Sequence, residues 1–320
     1  MKIASLAAAL GLGSLLAVPL SIRPHAAEAC ATVGRPDIRI AGEEALIVWD
    51  APSHTEHFIR RVEFSNVTGD FGFLVPTPSR PTLSEVPDSL FGSLFDLYRR
   101  VVHDPRRATG GRHMRSVAGA VQVVEQVRVA GLDATVLRAS DPAALSAWLT
   151  AHHYPTTPAL TAYLAPYVAR DAYVTAFRYQ PSGPVFGTRA VEISFVTDRP
   201  SYPYAEPTDA PVVANRVFRV SLIASRRMRA RLGHRAWSAR TGFAGLVDLS
   251  SVRSVMPSVP ASGWLTTFEE PASVRGRDDL YFEPSPAQTA VPSTIDHRIG
   301  ATTRRERVVP MVDPMNGLGL

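Results

Sequence analysis

The feature that most constrains the fold is an alternation of apolar and polar residues with a period of two. In the clearest example, Phe58, Val62 and Phe64 fall on one face, and Arg61 and Glu63 fall on the other. This pattern predicts strands with one buried face. Apolar alternation or apolar runs of strand length occupy residues 58–67, 121–129, 172–179, 189–197 and 217–225. We expect these five strands to belong to one, largely antiparallel, sheet system.

Shorter signals complete the predicted sheet. The apolar run 45–49 ends at Asp50-Ala51-Pro52, and the run 71–75 is stopped by Pro76. A turn at residues 131–133 connects strand 121–129 to residues 134–138, which predicts a hairpin.

Helices are predicted where apolar residues recur every three or four positions. Residues 89–102 place Phe91, Leu94 and Tyr98 on one face. Asp141-Pro142 and Thr157-Pro158 each combine an N-cap residue with proline at the first helical position. The first of these helices carries a stripe with Trp148 and Leu149, and we expect Pro166 to disturb the second. The predicted class is α+β, a mainly antiparallel or mixed sheet covered by a few helices.

The N-terminus has the order of a secretory signal: Lys2, an apolar run over residues 3–22, and small residues around Cys30. Cleavage before Cys30 or before Thr32 would satisfy the small-residue rule. Cys30 at a new N-terminus could accept a lipid, and an uncleaved run of about 19 apolar residues can just span a bilayer. We therefore expect an extracytoplasmic protein in the periplasm, at the cell surface or secreted, and leave these three N-terminal forms open.

These signals divide the chain into a signal peptide at residues 1–29, an α+β domain at 30–283 and a disordered tail at 284–320. The tail is expected because Pro, Thr, Arg and Gly replace periodic hydrophobic residues there. The single cysteine excludes an intramolecular disulfide and a thiolate-rich metal site.

The positive charge is carried almost entirely by arginine, since Lys2 is the only lysine among 34 basic residues. The sequence pI of about 9.6 favours anionic partners. Two runs of arginine suggest loops that hold phosphate or carboxylate groups, because the guanidinium group bonds to both with two parallel hydrogen bonds. The candidate anion-binding residues are Arg99, Arg100, Arg106, Arg107, Arg226, Arg227, Arg229 and Arg231. A solvated arginine-rich surface is the alternative interpretation.

His54, Glu56 and His57 are the candidate metal ligands, because two imidazoles and a carboxylate lie within four residues. In an extended chain His54 and His57 would point to opposite faces, so only a turn could bring them together. The alternative is a solvated hairpin loop. No Gly-x-Ser-x-Gly motif occurs, and no spacing singles out a catalytic triad.

Four blocks in the same order resemble a known bacterial family. They are FGFLVPTPSRP (71–81), WLTAHHYPTTPALTAYLAPYV (148–168), SFVTDRPSYPYAEP (194–207) and, within residues 264–282, WLTTFEEP followed by DDLYF. Together they resemble the family "domain of unknown function 2330". This resemblance implies an exported bacterial protein with no established activity and no agreed catalytic residues.

Two classes of function follow. The first is a non-enzymatic envelope protein that acts as a binding or scaffold module and needs no cofactor. Its partner would be an anionic envelope polymer or another envelope protein, with no nucleic acid, and it would meet the membrane only through the N-terminal signal or a lipid anchor. The second is a hydrolase or a metal-assisted enzyme, whose site would show convergent side chains with shifted pKa values in one pocket.

Overall fold

The computed structural model describes residues 32–33, 39–67, 71–99, 121–179, 185–187, 189–210, 216–271 and 275–295. Its elements in chain order are β1 (Thr32–Val33), β2 (Arg39–Asp50), β3 (Thr55–Val67), β4 (Phe71–Thr77), β5 (Thr82–Val86), α1 (Ser89–Arg99), β6 (Val121–Val129), β7 (Leu132–Ala139), α2 (Pro142–Ala151), α3 (Pro158–Val168), β8 (Tyr173–Tyr179), β9 (Val185–Gly187), β10 (Ala190–Val196), β11 (Ser201–Tyr202), β12 (Val217–Ala224), β13 (Met228–Leu232), β14 (Arg235–Ala236), β15 (Arg240–Asp248), α4 (Ser250–Arg253), β16 (Ser262–Glu270) and β17 (Leu280–Pro284). The predicted α+β class is confirmed.

The strands within these described ranges form three sheets. The largest has the order β15-β16-β12-β2-β3-β10-β5, with β9 paired to β3, and only its β12–β2 pair is parallel. The second sheet has the order β1-β4-β8-β7-β6, and the third has the order β11-β17-β13-β14. The predicted hairpin is present as β6–β7, closed by Ala130 and Gly131 with φ angles of 53° and 77°.

The five alternating segments are divided between two sheets. Strands β3, β10 and β12 lie in the eight-stranded sheet, whereas β6 and β8 lie in the five-stranded sheet. Alternation shows which residues of a strand share a face, but it does not show which strands pair. Strands β13, β15, β16 and β17 were not predicted. Strand β2 begins before the apolar run 45–49, and the sequence did not show this because the first half of the strand carries Glu43 and Glu44.

The two larger sheets pack face to face. Phe73 and Phe177 of the five-stranded sheet belong to the same buried cluster as Ile47, Phe58 and Val220 of the eight-stranded sheet. Residues next to these in the sequence point outward into different clusters. The chain therefore forms two central sheets with helices on both outer faces.

Helices α2 and α3 cover the outer face of the five-stranded sheet. Leu145, Leu149 and Leu164 pack with Leu74 and Val174 of that sheet. Leu149 is fully buried and Trp148 is partly buried against the same cluster, which confirms the predicted packing of α2. Both predicted caps are present, because the side chains of Asp141 and Thr157 accept bonds from backbone N–H groups at the helix starts.

Pro166 lies inside α3, which ends two residues later at Val168. Helices α1 and α4 cover the outer face of the eight-stranded sheet. Leu90 and Val252 pack there with Leu46 and Ile223.

Residues 285–295, which the sequence assigned to the tail, are packed against the domain. Val291 pairs with Ala244 of β15, and Ile295 is buried in the same cluster as α1. The rest of the predicted tail and the predicted signal peptide lie outside the described residues. Within the described ranges, no helix combines the length and the hydropathy needed to cross a bilayer.

Candidate functional site

The structure does not bring His54, Glu56 and His57 together. His54 is exposed in the turn before β3, with a φ angle of 51°. Glu56 is fully buried, and its neighbour His57 points to the opposite face of β3. Across the described part of the chain, no group of three or more metal-ligating side chains is found.

His57 instead joins a polar cluster on the outer face of the eight-stranded sheet. Its Nδ1 lies 2.9 Å from Glu192 Oε1 and 2.9 Å from Ser194 Oγ, and Ser84 donates to Glu192 Oε2. Burial would raise the pKa of Glu192, but the bonds from His57 and Ser84 hold it below its ordinary value. In a serine hydrolase the acid and the serine bond to different ring nitrogens. Both contact Nδ1 here, so this cluster lacks the proton relay of a catalytic triad.

The structure describes only some of the candidate anion-binding arginines. Arg99 ends α1, whereas Arg100, Arg106, Arg107 and Cys30 lie outside the described residues.

The second run lies in and before β13, and three of its members bond to their own chain. Arg227 donates to the carbonyl oxygens of residues 287 and 289, Arg229 donates to Glu283, and Arg231 donates to the carbonyl oxygen of His234. Arg226 is exposed.

Three neighbouring cavities meet around Arg199 and Tyr281, which line all of them. Their volumes are about 360, 500 and 450 Å³, and we call them the first, second and third cavity of the Arg199 groove. The groove lies at the edge of the sandwich where β4, β10 and β12 end. Each cavity adds its own wall: Trp49 and Arg226 in the first, Pro76 and Pro78 in the second, Tyr163 and Arg277 in the third.

The centre of the groove is an arginine stacked on an aromatic ring. The guanidinium carbon of Arg199 lies 3.8 Å from the centroid of the Tyr281 ring. Stacking of this kind leaves the N–H edge of the guanidinium group available to a ligand. Arg199 is exposed, and among the described residues no carboxylate lies within ion-pair distance of it.

A second stacked arginine forms the wall between the second and third cavities. Arg170 lies 4.9 Å from the ring centroid of Tyr167 and 3.9 Å from Asp279. Tyr167 donates a 2.8 Å hydrogen bond to Asp279. Burial raises the pKa of both groups, and the bond from Tyr167 and the nearby charge of Arg170 lower that of Asp279 in part.

Residues 198–205, which we call the groove segment, carry Arg199 and are held by carboxyl groups that are buried or partly buried. The N–H of Ser201 donates to Glu56, and the hydroxyl group of Tyr202 donates to Glu43. The hydroxyl group of Tyr204 donates to Glu270, and the N–H of Ala205 donates to Asp279. These four acids lie on or next to β2, β3, β16 and β17, so the segment is fixed to two different sheets.

Glu43 is the centre of a buried ionic network. Arg60 and Arg275 each lie 2.8 Å from its carboxylate, and Arg216 lies 3.8 Å away. Arg216 also pairs with Glu206 at 2.7 Å. Burial alone would raise the pKa of Glu43, but the three arginines hold it well below its ordinary range. Glu43 is therefore ionised in the folded protein at every ordinary pH.

The family described as "Uncharacterized protein conserved in bacteria (DUF2330)" matches residues 24–267. The chain belongs to this DUF2330 family. No curated protein matches the chain.

Among solved structures, baculovirus P35 is similar at 8% identity and a TM-score of 0.37, covering 78% of this chain and 98% of that one. A mutated baculovirus P35 after caspase cleavage is similar at 9% identity and the same TM-score, covering 76% of this chain and 99% of that one. Similarity at this level says nothing about activity.

In this DUF2330 chain, the four blocks that carry the family resemblance meet at the Arg199 groove. Block 71–81 supplies Pro76 and Pro78, block 148–168 supplies Tyr163 and Tyr167, and block 194–207 supplies Arg199. The closing block supplies Tyr281. Sequence reasoning did not select Arg199 or Tyr281 as site residues. The available signal was that all of these blocks, although far apart in the chain, belong to the same family resemblance.

Proposed function

We propose that this protein is an exported, non-enzymatic binding module of the cell envelope that holds an anionic polymer in the Arg199 groove. The observation that carries the proposal is the stacking of Arg199 on Tyr281 where three cavities meet. A guanidinium group held flat by an aromatic ring is suited to paired hydrogen bonds with a carboxylate or a phosphate group.

The charges around Arg199 support an anionic ligand. Arg226 and Arg277 are exposed on the walls of the first and third cavities. Two nearby acids are already engaged, since Asp278 accepts a bond from Arg235 and Glu283 accepts one from Arg229. These acids are therefore partly neutralised and compete less with a ligand for Arg199.

The shape of the groove supports an extended ligand. Its cavities radiate from Arg199 instead of forming one closed pocket, and tyrosine, tryptophan and proline side chains line them. Successive units of a polymer could occupy successive cavities, with the aromatic and proline side chains contacting the apolar parts of the chain.

The sequence suggested that the second arginine run holds anionic groups of a ligand, but in this proposal most of the run has a structural role. Arg227, Arg229 and Arg231 bond to groups of their own chain, so they stabilise β13 and its surroundings. Arg226 remains exposed and extends the positive wall of the first cavity. The groove is therefore centred on Arg199, with Arg226 as a peripheral contact.

The location of the protein is part of the proposal and rests on the signal-like N-terminus. We expect residues 1–35, fused to a reporter that is active only outside the cytoplasm, to export that reporter. Replacing the apolar residues Leu15 and Leu16 with arginine should abolish the signal, because it interrupts the apolar core. A fusion protein that accumulates without reporter activity would contradict export.

The binding proposal predicts that Arg199→Gln weakens retention of the protein on an anionic polymer. Polygalacturonate and polyphosphate are suitable probes for carboxylate and phosphate groups, and dextran is the uncharged control. A charge-assisted hydrogen bond contributes about 1.5–3 kcal/mol, so we expect the dissociation constant to rise about tenfold or more. Retention of the wild type should fall as salt is added, because the charges are screened.

The matched control is Arg253→Gln on α4, which removes one exposed arginine that lines none of the three cavities. It changes the net charge by the same amount as Arg199→Gln. Equal retention of the two variants would show that overall charge, and not the groove, binds the polymer. Equal retention of the wild type on dextran and on both anionic probes would contradict an anionic ligand.

A further inference from the structure

Glu56 is a buried carboxyl group with an incomplete set of partners. It is fully buried on the inner face of β3, and its Oε2 accepts a 2.9 Å hydrogen bond from the N–H of Ser201. Its Oε1 is also buried and has no hydrogen-bond partner in the part of the chain that the structure describes. A buried carboxylate with one hydrogen bond is costly, whereas the neutral acid is tolerated.

The surroundings of Glu56 are mostly apolar. Its partners across the sheet are Trp49 on β2 and Phe195 on β10. The titratable and charged groups of the elements around it include Glu43, Glu44 and Asp50 on β2, His57, Arg60 and Arg61 on β3, Glu192 on β10, Tyr202 on β11, Tyr281 and Glu283 on β17, and His54, Asp198 and Arg199 in the adjoining turns. None of these groups lies within hydrogen-bond or ion-pair distance of its carboxyl group in the described structure. Burial raises the pKa of Glu56 well above its ordinary 4.5, and the bond from Ser201 lowers it only in part.

The one bond that Glu56 accepts reaches the centre of the groove. Ser201 pairs with Tyr281 in the β11–β17 ladder, and Tyr281 is the ring on which Arg199 lies. Trp49, opposite Glu56, lines the first cavity. A change at the Glu56 carboxyl group therefore acts on both the groove segment and the first cavity.

We propose that the protonated carboxyl group of Glu56 is a latch that seats the groove segment, and that loss of its proton to solvent unseats the segment. No covalent bond other than the O–H bond changes. The resulting charge has only the N–H of Ser201 to stabilise it, so water must reach the carboxylate, and the segment moves to admit that water. For its effect on ligand binding, the latch rests on the function proposed above.

The first test needs no ligand. We expect the fluorescence of Trp49 to shift to longer wavelength as the pH rises, because unseating exposes more of its partly buried ring to water. Subtracting the signal of Trp49→Phe isolates this residue. Glu56→Gln should abolish the shift, since its amide keeps the oxygen that Ser201 needs and cannot ionise. A Trp49 signal that is independent of pH, or a shift that persists in Glu56→Gln, would overturn the latch.

Hydrogen exchange in the wild type covers the case in which Glu56→Gln does not fold. After correction for intrinsic exchange rates, protection of the Ser201 amide should fall about tenfold as the pH rises, which corresponds to loss of one hydrogen bond. The control is the Thr197 amide, which donates to the backbone oxygen of His54 at 2.9 Å. Parallel protection of the two amides over the whole pH range would count against the latch.

Binding distinguishes the latch from the proposed function. Affinity of the wild type for polygalacturonate should fall about tenfold as Glu56 ionises, and affinity of Glu56→Gln should not. His234 also lines the first and third cavities, so His234→Gln tests whether this histidine causes the pH dependence of binding. Lack of retention at every pH would refute the polymer-binding function, while the fluorescence and exchange results would still decide the latch. A pH dependence that Glu56→Gln retains would refute the latch alone.

Discussion

Glu43 and Glu56 lie on adjacent strands of one sheet, both are fully buried, and both accept a bond from the groove segment. Their pKa values are nevertheless shifted in opposite directions. Three arginines hold the pKa of Glu43 well below its ordinary value, whereas burial with a single N–H donor raises that of Glu56. The comparison shows that burial sets the cost of a charge, and that the neighbouring groups decide whether the charge is kept.

The two residues therefore contribute differently to the groove segment. Around Glu43 the negative charge is part of a network that includes Arg60, Arg216 and Arg275, and it is fixed over the ordinary pH range. Around Glu56 the interaction depends on a proton. Two neighbouring residues of the groove segment are thus held differently: Tyr202 is bound by a permanent charge, and Ser201 by a contact that depends on a proton.

The largest expected effect tests the charge of Glu43. Glu43→Gln would leave three buried arginines with less negative charge to balance them, and breaking a buried ion pair costs about 3–5 kcal/mol. We expect a loss of that size in the free energy of unfolding, measured by urea denaturation near neutral pH. In the wild type this contribution should be complete above about pH 4.5 and decline as acid protonates Glu43, because the folded pKa is lowered.

Asp133→Asn provides the comparison for Glu43→Gln. Asp133 pairs with Arg128 at 3.6 Å on the surface of the β6–β7 hairpin, and both side chains are largely exposed. Removing such a pair costs less than about 1 kcal/mol. If both substitutions changed stability equally, the network around Glu43 would contribute no more than a surface ion pair.

A smaller and pH-dependent effect is expected for Glu56→Gln. Because the folded pKa of Glu56 is raised, its contribution is complete below about pH 4.5 and is lost as the pH rises through the folded value. The stability of the variant should therefore fall less than that of the wild type between acidic and alkaline pH. Denaturation curves over this range measure the difference. Parallel stability profiles for the two proteins would mean that Glu56 does not change ionisation on folding.

The sequence was a good guide to local structure. Alternation placed Phe58 and Arg61 on opposite faces of β3, as the structure has them, and the caps at Asp141 and Thr157 marked where α2 and α3 begin. It failed for pairing, because β6 and β8 lie in a different sheet from β3 and β10.

The candidate site was largely beyond sequence reasoning. His54, Glu56 and His57 were grouped because they are close in the chain, but strand geometry sends the last two to opposite faces. Arg199 and Tyr281 were not grouped because about 80 residues separate them, and only the β11–β17 pairing brings them together. The family resemblance grouped the blocks 71–81, 148–168 and 194–207, which the family match covers, without showing that they meet.

The sequence by itself determined which residues of an element share a face, where helices start, and the family to which the chain belongs. These properties depend on periods of two or about four residues and on local motifs, which a linear chain displays directly. Only the tertiary structure decided the pairing of the sheets, the position of the Arg199 groove and the charge of each buried acid. Those depend on contacts between residues far apart in the chain, such as Glu43 with Arg275 and Glu56 with Ser201. A carboxyl group carries no mark in the sequence of the partners that will hold or remove its proton.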